Sequence, residues 1–147
     1  MSDKTPTVSE SAEQATLFSW ARMMHGKWPE LELLFHIPNG GSRGKVEAAR
    51  FKAEGVKAGV PDLFLPVARG PYHGLFIEMK REKGGRVSEA QKAWIAALIA
   101  QGYRAEVCHG WREAAALIES YLASFASSSR QGGKHDRWSM VRPCSRR

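Results

Sequence analysis

The feature that most constrains this chain is Pro61-Asp62, followed after fifteen residues by Glu78-Met79-Lys80. Asp62 heads an apolar run, Asp62-Leu-Phe-Leu-Pro66, bounded by Gly59-Val-Pro61 on one side and Gly70-Pro71 on the other. That pattern predicts a short strand with a carboxylate at its mouth. Leu75-Phe-Ile-Glu-Met-Lys80 predicts a second strand, closed by the polar turn Arg81-Glu-Lys-Gly-Gly-Arg86. Strand residues two apart share a face, so Glu78 and Lys80 emerge side by side. Pairing the two strands as a hairpin would carry Asp62 to the same spot. Two carboxylates and an ammonium at one end of a small sheet suit a hard divalent cation, which takes oxygen ligands. The lysine would stand ready for developing phosphate charge. A charged pair inside an apolar strand costs free energy unless it is used.

The flanking segments supply a sheet and its helices. Leu17, Trp20, Ala21 and Met24 recur at helical spacing and predict a helix over 9–24. Thr7 with Glu10 forms a candidate capping box at its start. Lys27-Trp-Pro29 breaks that helix, Leu31–Ile37 is a first strand candidate, and Pro38-Asn-Gly-Gly41 is a turn. Residues 43–54 predict a short amphipathic helix carrying Arg43, Lys45, Arg50 and Lys52, stopped by Gly55. After the two central strands, Ser88-Glu-Ala-Gln91 is a capping box for a helix with an apolar face of Trp94, Ile95, Leu98 and Ile99, ended by Gly102. Residues 103–109 predict a strand, and 111–125 a last helix built on Trp111, Ala115, Ile118 and Leu122. The order α-β-α-β-β-α-β-α predicts an α/β domain, a small mixed sheet of about four strands flanked by helices.

At 147 residues the chain suits one domain, expected over 9–125, after a disordered N-terminus at 1–8 and before a flexible basic tail at 126–147. The net charge of +7 favours a polyanionic partner, but six Arg or Lys against one Asp after residue 126 supply +5 of it. Charge alone is therefore a weak argument for nucleic acid. No apolar run is long enough to span a membrane, and the first residues lack a signal peptide's apolar stretch, which points to the cytoplasm. Cys108 and Cys144 are too few for a zinc site or a disulfide framework.

Five motifs in order resemble the VRR-NUC (virus-type replication–repair nuclease) domain, of the restriction-endonuclease-like PD-(D/E)xK superfamily. They are the Glu10-x3-Gln14 helix, Pro38-Asn-Gly-Gly-x-Arg43, Gly55-x3-Gly59-x-Pro61-Asp62, Glu78-x-Lys80 and the Ser88-x2-Gln91 helix. The match covers roughly residues 9–110. The resemblance implies a restriction-endonuclease-like fold and a Mg²⁺- or Mn²⁺-dependent endodeoxyribonuclease, selective for branched or junction DNA or acting on duplex, in a bacterial or phage-infected cell. It implies Asp62 and Glu78 as metal-binding carboxylates, the Met79 backbone carbonyl as a further ligand, and Glu10 joining directly or through water. Lys80 would activate the attacking water and Gln91 would hold the site from the facing helix. It also implies a homodimer, by analogy alone, and leaves the basic tail without a role.

Plainer readings compete at several positions. Glu78 with Lys80 could be an exposed cross-strand ion pair, but the apolar neighbours Leu75, Phe76 and Ile77 argue for a buried sheet. Glu10 has a sufficient role as a capping residue and Glu13 is a nearby competitor; Gln91 sits where a capping box wants it. His36 and His109 lack the spacing of an HNH nuclease and read as satisfied core or edge histidines. Arg43, Lys45, Arg50, Lys52 and, before Asp62, Lys57 are candidate phosphate contacts, with a solvated helix face as the alternative. The five tryptophans read as core, Trp138 being open. The rival functions are a non-catalytic nucleic-acid-binding module of the same fold, and a partner-binding protein acting through its tail.

Overall fold

The computed structural model of the protein describes residues 8–39 and 45–124, with the backbone alone at Lys45. Thr7, Gly40, Gly41, Arg43, Trp138, Cys144 and the expected basic tail lie outside the described residues. Helix α1, Glu10–Met24, starts at Ser9, whose hydroxyl accepts the Ala12 N–H at 3.2 Å. Ser9 is thus the N-cap, not Thr7 as expected. Glu13, Leu17 and Ala21, each four residues on, form the buried stripe.

The expected strand over 31–37 is corrected. A 3₁₀ turn takes Pro29–Leu33, and only Phe35–His36 pair as strand β1. Proline suits the first position of a helical turn. Leu31 and Leu34 go into the core while Leu33 stays exposed, a spacing of three that a strand cannot satisfy. Helix α2, Lys45–Ala53, ends at Gly55, which takes φ +93°. Among its described side chains only Phe51 is partly buried, so the helix is not amphipathic towards the core.

Strands β2, Leu63–Leu65, and β3, Leu75–Lys80, follow, then helix α3, Glu89–Ala100, strand β4, Arg104–His109, and helix α4, Trp111–Ala123. The sheet order is β1-β2-β3-β4. The first three strands pair antiparallel, while β3 and β4 are parallel and joined through α3.

The alternation of β3 sets the layers. Leu75, Ile77 and Met79 point to one face, where they pack with Leu63 and Leu65 of β2, Leu17 and Ala21 of α1, and Ala114, Ile118 and Tyr121 of α4. Phe76, Glu78 and Lys80 therefore point to the opposite face. There Phe64 stacks on Phe76 at 4.1 Å between ring centroids, with Tyr103 edge-on to both. Helix α3 covers part of this second face; Trp94, Ile95 and Leu98 are partly buried, whereas Ile99 is exposed. No helix among the described residues is long and apolar enough to cross a membrane.

Candidate active site

The β2–β3 register pairs Leu65 with Leu75 and Leu63 with Ile77. One further step along both strands sets Asp62 opposite Glu78. Asp62 leaves the ladder with its side chain still bonded to it: Oδ2 accepts the Met79 N–H at 2.8 Å. Its own carbonyl accepts from the Ile37 N–H at 2.7 Å and faces His36 Nδ1 at 2.8 Å. A carbonyl can only accept, so Nδ1 carries the proton. Asn39 donates to the Val60 carbonyl at 2.6 Å, tying the turn after β1 to the segment that delivers Asp62. Gly59, at φ +87°, brings that segment against α3; a Cβ there would fall 2.7 Å from the Ala90 carbonyl carbon.

Glu78 is 1% exposed and Lys80 5%. Oε1 of Glu78 accepts from Lys80 Nζ at 2.7 Å and from Gln91 Nε2, while Oε2 has no hydrogen-bond partner among the described residues. Burial drives the Glu78 carboxyl from its ordinary 4.5 up to about 7; the Lys80 hydrogen bond pulls it down, and the charges of Asp62 and Glu10 push it up. Asp62 is also raised, by burial above all, against the lowering effects of the Met79 N–H and the Lys80 charge. Two carboxyls that resist ionisation, one with an orphaned oxygen, form a site that a cation would relieve.

The ladder leaves one more oxygen open. The Gly74 and Lys80 carbonyls accept from β4, so even-numbered carbonyls of β3 face β4 and odd-numbered ones face β2. The continued register sets the Met79 carbonyl opposite Pro61, which has no N–H to give.

Gln91 does two things at once. Its Oε1 accepts the Ser88 N–H at 2.8 Å, completing the capping box, and its Nε2 donates to Glu78. The two glutamates of α1 part ways. Glu13 turns inward, 4% exposed, and accepts the Trp111 N–H at 2.9 Å at the start of α4. Glu10 stays exposed on the site's side, near enough for its charge to raise both carboxyls. Among the described residues no three His, Cys, Asp or Glu side chains cluster closely enough to hold a metal ion by themselves.

The structure thus brings together Asp62, Glu78, Lys80 and Gln91, with Glu10 beside them. Of the basic residues expected to contact DNA, Arg50, Lys52 and Lys57 have described side chains. Arg50 pairs with Glu54 at 3.5 Å on exposed α2, and Lys52 projects from the same helix. Lys57 borders a groove of about 480 Å³ with Ile37, Asn39, Val60 and Trp94. His36, read from the sequence as a satisfied core or edge histidine, sits on edge strand β1, where it fastens the Asp62 backbone. Sequence reasoning treated Arg81–Arg86 as a mere turn, although Gly85 lies directly on the Lys80 stem. Cys108 is buried, and burial pushes its thiol up to about 12, too high for a nucleophile.

No curated protein matches the chain significantly. A solved structure described as a VRR_NUC domain protein is 35% identical; the match covers 84% of this chain and 98% of that one, at a TM-score of 0.70. The family model described as the VRR-NUC domain matches residues 8–112, the stretch that holds α1, all four strands and every residue of the carboxylate cluster. The chain belongs to the VRR-NUC domain family.

Proposed function

We propose that this protein is a Mg²⁺- or Mn²⁺-dependent endonuclease that hydrolyses DNA phosphodiesters. The observation that carries this reading is Glu78 Oε2, a buried carboxylate oxygen without a partner, on a side chain opposite Asp62. Asp62, Glu78 and the Met79 carbonyl are three hard oxygen donors, and Mg²⁺ binds through one or two carboxylates while keeping several waters. The residues fit such an ion, and Glu10 would join them directly or through water. When bound, it supplies Lewis-acid polarisation of the phosphate and a more acidic water.

The chain's own residues do the rest. Lys80, fixed beside Glu78, sets a positive charge where the pentavalent phosphorus gathers negative charge, and orients the attacking water. Gln91 locks the Glu78 rotamer. His36 and the Ile37 N–H hold Asp62 from the backbone side. Arg43, Lys45, Arg50, Lys52 and Lys57 serve as backbone contacts to DNA. In keeping with the family resemblance, the substrate is branched or otherwise structured DNA and the active species is a homodimer.

A panel of labelled Holliday junction, flap, splayed-arm, duplex and single-stranded DNA with Mg²⁺ or Mn²⁺ tests the reading. Folded Asp62→Ala and Glu78→Ala proteins should lose cleavage. Lys80→Met should keep metal and DNA binding yet cut at least about 100-fold more slowly, the usual scale for removing one preorganised transition-state contact. Undiminished cleavage by the carboxylate variants would sink the assignment. DNA binding by wild type without any cleavage would point to a non-catalytic binding module. Sedimentation of the full chain with and without DNA tests the dimer.

A further inference from the structure

The loop between β3 and α3 carries guanidiniums that the fold does not use. Arg81 and Arg86, with Gly84 and Gly85, line an open hollow of about 420 Å³ whose other wall is Ser9 and Glu10. The hollow adjoins the carboxylate cluster on two sides. Gly85 rests on the stem of Lys80, where a Cβ would fall 2.8 Å from Lys80 Cβ and 3.0 Å from Cδ. Glu10 is close enough to act electrostatically on Asp62 and Glu78.

Arg50, Arg69 and Arg104 each pair with a glutamate, while Arg22 bonds Ser19 and Arg112 lies over the Trp111 ring. Arg81 and Arg86 have no carboxylate partner among the described residues, and both border one hollow. Arg81 is tethered only through Nη2 to the Gly84 carbonyl at 3.3 Å, which orients the guanidinium and leaves its other donors open. Glu10 opposes an anion from the facing wall, yet two guanidiniums against one carboxylate leave the hollow net cationic. Guanidinium forks match phosphate oxygens in pairs, and such contacts fix the position of a strand without reading its bases.

We infer that Arg81 and Arg86 seat a DNA phosphate flanking the scissile one, on the same strand, in the hollow between the start of α1 and the loop Arg81–Arg86. The inference rests on the nuclease reading above and deepens it: the strand is gripped by its backbone next to the metal ligands. The glycines have a part in this. Without a side chain, Gly85 lets the loop lie low over Lys80, and Gly84 supplies the φ of +81° at the turn, so that both arginines border one space.

The test uses the full chain with labelled flap and single-stranded DNA, Ca²⁺ replacing Mg²⁺ to hold the substrate uncut, and affinity measured against salt concentration. The double variant Arg81→Gln, Arg86→Gln should bind at least about 10-fold more weakly at low salt. Its slope of log affinity against log salt should shrink by about 0.7–0.9, the loss of one neutralised phosphate. Its Mn²⁺ binding, read by calorimetry, should stay within about twofold of wild type, since phosphate contacts are separate from the oxygen ligands. The Arg81→Lys, Arg86→Lys protein should recover the slope. If the Gln double variant does not fold, Arg86→Gln alone should show about half the change in slope. An unchanged slope and affinity overturn the inference, as does a loss that comes together with lost Mn²⁺ binding. Failure of wild type to bind or cut any DNA with Mg²⁺ or Mn²⁺ instead overturns the nuclease reading itself.

Discussion

At Glu78 the fold sets a carboxylate where water hardly reaches, between the Lys80 ammonium and the Gln91 amide. With its pKa raised from 4.5 to about 7, the native state holds a proton that the unfolded chain has released. Native protons favour folding at low pH, so this group's contribution is complete below about 4.5 and lost as pH rises through about 7. In chelator, the denaturation midpoint of the metal-free protein should fall across that window, and Glu78→Gln should remove the decline. Metal binding requires the ionised carboxylate and so runs the other way. Mn²⁺ affinity should climb with pH up to about 7 and level off above it, checked by calorimetry in buffers of differing ionisation enthalpy. Gly85 makes a similar point in steric form. Gly85→Ala forces its new methyl onto the Lys80 stem and should lower the cleavage rate more than it lowers Mn²⁺ affinity.

Among the elements, α3 couples helix stability to the site through one side chain. Ser88→Ala removes the cap and should cost about 1 kcal/mol of unfolding free energy, read by urea denaturation. It should also slow cleavage, because Gln91 is held by the same reciprocal bonds. Elements whose period was plain were legible in the sequence. The strand over 75–80 shows a clear apolar run with two charges two apart, and it pairs where the alternation demands. The capping box at Ser88 is a short-range motif with a mechanism, and it formed. The strand expected over 31–37 failed because Pro29 begins a 3₁₀ turn and Leu31 and Leu34 bury with a spacing of three. The helix over 45–53 was legible as a helix, but its packing was not, since apolar residues near helical spacing do not say whether a surface exists to cover them. The candidate site was legible in Asp62, Glu78 and Lys80, because hairpin register follows from strand period. The Met79 carbonyl came only with the family resemblance, and periodicity alone showed neither its open position, nor the His36 fastening, nor the Arg81–Arg86 hollow. Each of those depends on which backbone groups are left unpaired, or on which side of a turn faces a helix far away in sequence.

For the whole molecule, a cation at Asp62 and Glu78 would stabilise the native state by mass action. At a hundred times its dissociation constant that amounts to about 2.7 kcal/mol. Mg²⁺ or Mn²⁺ should therefore raise the melting temperature by several degrees in calorimetric scans, and chelator should reverse the rise. Glu78→Ala should abolish it. The first and last helices, meanwhile, are bound to each other across the chain. Glu13 accepts from Trp111, 98 residues on, and Lys27 Nζ pairs with Glu119 at 3.2 Å, while Leu17 and Ala21 share a core with Ala114, Ile118 and Tyr121. This has a consequence for synthesis. A growing chain displays the strands that carry Asp62 and Glu78 before the helix that closes their apolar face has been made, so the closed core can form only once α4 emerges. Until then nothing holds the carboxylates in register or buries them, and the cluster does not exist on the nascent chain.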